Sequence, residues 1–200
     1  MSRFKIEAIS DSYVPKEKSE PEQMLNTELT AKLDKGHDKS RKIYLTPQSV
    51  TQIFTHIGWG TKTKQNVVEQ GGILIGEVLF DPKTKTQYGI VREAIAGKQA
   101  RGTSAYLEMN HAVWKAMVDR ADEIIDARPE DNWQIIGWYH THPNDLSVFF
   151  SATDLGTQRT VFREPWHYAL VFNPHKKIWK AFYGENAHPC VGLTLGKAEK

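Results

Sequence analysis

Two histidines separated by one residue open the search for chemistry in this sequence. In Tyr139-His140-Thr141-His142-Pro143, residues i and i+2 of an extended chain face the same side. Both imidazoles can therefore reach one divalent ion. The residues before them, WQIIGWY, read as a strand, which puts the pair where the chain leaves a sheet. Two histidines alone also fit a surface or hydrogen-bonded pair. A hydrolytic metal centre needs a third protein ligand and an open position.

Ser151-Ala152-Thr153-Asp154 offers that ligand. One reading is a capping box, with Ser151 as N-cap and the acidic residue three later reaching back. The other sets Asp154 in the first helical turn facing the histidines, with Ser151 beside the open position. Asp145, three residues after His142, is the alternative oxygen ligand. Glu69 is the candidate general base. It precedes GGILIG in an apolar run, where an unpaired carboxylate is costly. Alternatively, Glu69 lies at the exposed start of that strand and meets only solvent.

The elements that must position these groups follow from the pattern. Thr46-Pro47 is an N-cap and first helical position; Val50, Ile53, Phe54 and Ile57 recur at helical spacing, and Gly58 ends the helix. Residues 67–80 read as a buried strand whose glycines 71, 72 and 76 mark close backbone approach. Strands follow over 88–96 and 105–109. Asn110 caps a helix over 111–127 with Val113, Met117, Ala121, Ile124 and Ile125 as its apolar stripe. After the strand 133–139 come a helix from Ser151 to about 162, a hairpin of 166–172 with 177–182, and a final segment at 191–195. Strands and helices mix without regular alternation, which predicts an α+β fold, three-layer α/β/α, with a mixed sheet flanked by helices. Residues 1–42 carry few aromatics and many charges and read as a flexible or loosely docked arm, with the domain proper over 43–200.

Composition narrows the function classes. Of 200 residues, 40% are hydrophobic and 25% charged, a globular balance. The net charge of +2, with acids and bases interspersed, calls for neither nucleic acid nor a membrane surface. No apolar run approaches the roughly 18 residues of a membrane span, and the N-terminus lacks the apolar centre of a secretory signal, so a cytoplasmic protein is expected. The single Cys190 excludes a thiolate cluster, so a metal site must use His and carboxylates.

Taken together, E-x-x-G-I-L-x-G from Glu69, H-T-H-P from His140 and S-x-x-D-L from Ser151 resemble the JAMM (MPN+) metalloproteases, over about residues 67–182. The loop PNDLSVFF between His142 and Ser151 is one residue longer than is usual there; Ser147 cannot replace Ser151, because Phe150 stands three residues later. The resemblance implies a cytidine-deaminase-like mixed sheet and one zinc ion per chain. It makes His140, His142 and Asp154 the ligands, Glu69 the proton carrier and Ser151 the donor to the developing oxyanion. It further implies an isopeptidase or peptidase acting after the C-terminal tail of a ubiquitin-like protein, which residues 96–108 would hold along the cleft. E1-like and E2-like partners are implied by similarity to bacterial members of conjugation operons, including antiphage ones. A non-catalytic MPN-type scaffold, and a hydrolase of a sulfur-carrier protein or small amide, are the alternatives.

Overall fold

A computed structural model of the chain describes residues 14–21, 25–61, 68–98, 101–103 and 106–196; of 101–103 and 106–108 it describes the backbone. The order is β1 (Lys16–Glu17), β2 (Asp38–Leu45), α1 (Pro47–Ile57), β3 (Gly71–Asp81), β4 (Thr86–Ala96), β5 (Arg101–Thr103), β6 (Tyr106–Glu108) and α2 (His111–Asp126). β7 (Gln134–Thr141), α3 (Ala152–Val161), β8 (Tyr168–Asn173), β9 (Ile178–Tyr183) and β10 (His188–Thr194) complete it. The fold is α+β, with three helices and a large mixed sheet among the described residues. β5 and β6 form a separate antiparallel pair. Val67 and Ala105, expected to begin strands, lie outside the described residues.

Strand pairing runs β3–β4–β2–β10–β9–β8–β7, and β7 pairs again with β3. The sheet therefore closes into a circuit. One apolar cluster draws from every strand of it: Ile43 and Leu45, Leu74 and Val78, Val91, Tyr139, Leu170 and Phe172, Trp179 and Ala181, and Cys190. Side chains from all these strands can meet only on the concave side. α1 packs there through Ile53 and Ile57, with Val50 and Phe54 against the same cluster. The Thr46 side chain accepts from Ser49 N and donates to the Val91 carbonyl at 2.9 Å, tying the start of α1 to β4. Gly58 ends α1 in the left-handed conformation, φ 62°.

The second cluster lies on the other face, as the alternation of strand side chains requires. Ile73 and Ile75 of β3, Trp138 of β7, and Ala169 and Val171 of β8 meet Val113, Met117 and Ala121 of α2 and Phe162 at the end of α3. Asn110 caps α2 by accepting from Val113 N at 3.1 Å. Gln158 of α3 is wholly buried. Its Oε1 accepts from Trp138 Nε1 at 2.7 Å, and its Nε2 donates to the Phe162 and Gly184 carbonyls. That side chain fixes the rotation of α3 against β7.

Part of the segment before residue 43 is docked. β2 begins at Asp38, so the boundary expected after residue 42 falls inside a strand. Lys16 and Glu17 pair in parallel with Leu79 and Phe80. The Glu20 carboxylate accepts from Lys42 Nζ and Tyr44 OH, both at 2.6 Å, and Glu20 N donates to Asp81. Asn26 N and Ala31 N donate to the carbonyls of Thr194 and Gly192. Of the two readings of this segment the described residues fit the docked one, through contacts that are polar and mostly main-chain.

Two of the β3 glycines expected to mark close approach, Gly72 and Gly76, do so. A Cβ on Gly72 would stand 2.1 Å from the Ile95 oxygen and 2.7 Å from the Tyr139 ring; one on Gly76, at a bulge, 1.9 Å from the Ile90 oxygen. Main chain cannot yield as a flexible side chain can. Gly76→Ala is expected to cost more than about 2 kcal/mol of stability, read as a lower urea midpoint. A second prediction concerns His167, which sits against Phe162 and Trp166 at the turn into β8. Burial lowers its pKa from 6.5 to about 4. The unfolded state then binds the extra proton between these values, so stability is full above pH 6.5 and falls as pH drops toward 4, by about 2 kcal/mol given partial exposure. His167→Gln should flatten that part of a melting-temperature profile.

Candidate metal centre

The site stands where β3 begins and β7 ends. Gly71 is registered opposite His140. One residue further out, Thr141 N donates to the Gln70 carbonyl at 2.8 Å and Gln70 N donates to Thr141 Oγ1 at 2.9 Å. This pair of bonds sets Glu69 at the mouth of the strand pair carrying the histidines. On the other side His142 N donates to the Phe172 carbonyl at 2.8 Å. Trp138, His140 and His142 alternate onto the face covered by α3. The His140 ring stacks on Trp138, centroids 4.6 Å apart, and meets the Phe150 ring edge-on.

α3 brings the carboxylate. Asp154 lies one turn before Gln158, on the same side of the helix, and so turns toward β7. Its Oδ1 is 3.2 Å from His140 Nε2 and its Oδ2 3.5 Å from His142 Nε2. Ligand atoms of His140, His142 and Asp154 all lie within 4.8 Å of one another, and all three residues are buried. The capping box is present as well: Ser151 N donates to Asp154 Oδ2 at 2.7 Å and Asp154 N to Ser151 Oγ at 3.2 Å. The two readings of Ser-x-x-Asp are thus one arrangement, in which the cap orients the carboxylate. Asp145 is exposed on the loop and outside this group.

The donor set can hold a divalent metal. His140 is only 1% exposed, yet neither ring nitrogen makes a well-aligned hydrogen bond, Nε2 having only the Asp154 carboxylate 3.2 Å away. A buried polar atom left unpaired is costly, and a cation between the two rings and the carboxylate would satisfy Nε2. In His142, Nδ1 donates to the Ser147 carbonyl at 2.9 Å, since a carbonyl can only accept. In the neutral ring that bond puts the proton on Nδ1 and leaves the Nε2 lone pair for a metal, as a ligating imidazole requires. Two imidazoles and one carboxylate are a zinc donor set of the hydrolytic kind.

Electrostatics agree with the geometry. Burial opposes ionisation of Asp154, but the two imidazoles and the Ser151 hydroxyl outweigh it and hold the carboxyl far below the usual range. Burial lowers the His140 pKa against the pull of Asp154. At His142 burial also acts downward, but Asp154 and the Ser147 carbonyl prevail and raise it. Glu69 is 6% exposed, so it is not at a solvent-facing strand start. Burial pushes its carboxyl up to about 7; His142 acts against that shift and Asp154 adds to it. No helix among the described residues is long and apolar enough to cross a membrane.

Residues 38–164 match the family described as JAB1/Mov34/MPN/PAD-1 ubiquitin protease. The chain belongs to this family. Among curated proteins this MPN chain is 27% identical, over 141 residues, to COP9 signalosome complex subunit 5 of Candida glabrata. The alignment covers 68% of the chain and 27% of that relative. The family match ends at residue 164, whereas Phe172, which holds the His142 backbone, lies beyond it. Sequence reasoning missed the Ser147 carbonyl, because a main-chain acceptor leaves no trace in residue type. Trp138 shares that face with His140, as their i, i+2 spacing in the strand signals.

A divalent cation added to metal-free protein should raise the melting temperature; at a hundredfold excess over Kd the gain is about 2.7 kcal/mol. Titration calorimetry on His142→Ala and Asp154→Asn should show that binding lost.

Proposed function

We propose that this MPN-family chain is a zinc-dependent isopeptidase or peptidase that cleaves after the C-terminal tail of a ubiquitin-like protein. The observation that carries this reading is the buried His140, with no well-aligned hydrogen bond at Nε2, facing His142 and Asp154 at ligand spacing. Zinc in that position would lower the pKa of a water molecule and polarise the scissile carbonyl. The chain's own residues supply the rest. The Glu69 carboxylate takes a proton from the attacking water and returns it to the leaving amine. Burial pushes its carboxyl up to about 7 before a cation binds, and a cation would bring it back toward the ionised form a base needs. Ser151, whose Oγ accepts from Asp154 N, would turn its hydroxyl proton from the Asp154 carboxylate to the carbonyl oxygen as charge develops there. No covalent intermediate is required, and Cys190, buried with its thiol pKa raised by burial, takes no part.

The family description, ubiquitin protease, supports a ubiquitin-like substrate. The β5–β6 pair, within the segment expected to border the cleft, supports a tail held in extended form. The relative named as a complex subunit favours a second reading, an MPN-type scaffold that works through partners. E1-like and E2-like proteins of a conjugation system, antiphage or otherwise, are the partners proposed. A sulfur-carrier protein or small amide is the alternative substrate class.

A panel of ubiquitin-like fusions, assayed with metal content measured in parallel, separates these readings. Glu69→Gln should retain zinc and lose at least about a hundredfold in kcat/KM, while His142→Ala should lose both. A cation beside Glu69 favours its ionised form, so activity should fall as pH drops through a value below 7. Wild-type protein that takes up no zinc would leave the scaffold reading; full activity in Glu69→Gln would remove the proton-transfer role.

A further inference from the structure

We propose that Asn173 is a positioning residue for His142, acting through the turn that carries Ser147; this rests on reading His142 as a metal ligand. Asn173 ends β8 and is wholly buried. Its Nδ2 donates to the Asn144 carbonyl at 3.0 Å and the Leu146 carbonyl at 2.8 Å, and its Oδ1 accepts from Lys176 N at 2.8 Å. Two of these partners can only accept and one can only donate, so a single orientation of the amide satisfies all three. The turn it grips leaves regular backbone geometry at once: Asn144 has φ 58°, and its N–H donates to His175 Nδ1 at 2.6 Å. The next residue after Leu146 is Ser147, whose carbonyl receives the His142 Nδ1 proton.

The end of β8 therefore holds His142 twice. Phe172 takes its backbone N–H directly. Asn173 holds the 144–146 turn, the turn presents the Ser147 carbonyl, and the carbonyl fixes which ring nitrogen carries hydrogen. Without that bond the neutral ring can place its proton on Nε2, the atom that faces Asp154, and lose the lone pair a cation needs. Aspartate at 173 has nearly the same shape and can still accept from Lys176 N. It would, however, set an oxygen against the carbonyls of Asn144 and Leu146. The amide is thus required for a reason that volume does not supply.

The test is the His142 ring itself, read in metal-free protein at pH 8 by long-range 15N–1H correlation, together with zinc titration. In wild type the ring should show the Nδ1–H form. In Asn173→Asp it should show a mixture or the Nε2–H form, with zinc Kd weakened about 10- to 100-fold. Asn173→Ser, too short to span both carbonyls, is the second variant, and either one that folds decides the matter. Retention of the Nδ1–H form with a zinc Kd within about twofold of wild type overturns the proposal. Wild type that binds no zinc refutes the metal-centre reading instead, and the ring spectrum still judges what Asn173 does.

Discussion

The pairing of β3 with β7 is the constraint on which the rest of the molecule depends. It closes the strand circuit, and it brings the start of one strand beside the end of the other. Gln70 and Thr141 exchange two hydrogen bonds at that junction. An acid that precedes one strand and two imidazoles that end the other thereby share one mouth. The closure also requires Gly72, since the Tyr139 ring lies where its Cβ would be. Shape and chemistry thus meet in one short stretch of paired backbone.

Opposing electrostatic demands are resolved within a few residues of that junction. Asp154 is buried and ionised, a costly state that two imidazoles and a helix cap together sustain. Glu69, equally buried and without such donors among the described residues, is shifted toward neutrality by that burial. Two carboxylates in one cleft are set apart by their hydrogen-bond donors. That is the division of labour expected of one group that holds a cation and another that handles protons.

Much of this was legible in the sequence because it is local. The cap of α1 at Thr46, its left-handed stop at Gly58, the α2 cap at Asn110 and the alternation through His140 and His142 each depend on neighbours within one turn or one pleat. So was the Ser151–Asp154 pair, although the sequence posed cap and ligand as competitors. What escaped is long-range or carried by main chain. Closure of the circuit joins residues about seventy positions apart and has no compositional mark. Docking of the segment before Asp38 was one of two readings; its contacts, through Glu20 and backbone donors, have no mark in residue type.

The short strand at Lys16–Glu17 has a consequence of its own. β7 covers the outer side of β3 only from Gly71 to Gly76, and the parallel contact at Leu79 and Phe80 occupies the stretch beyond. A bare strand margin of that kind is a template on which a second molecule can add its own strand. With β7 along one stretch and Lys16–Glu17 along the next, those parts of the β3 margin are closed to such an addition.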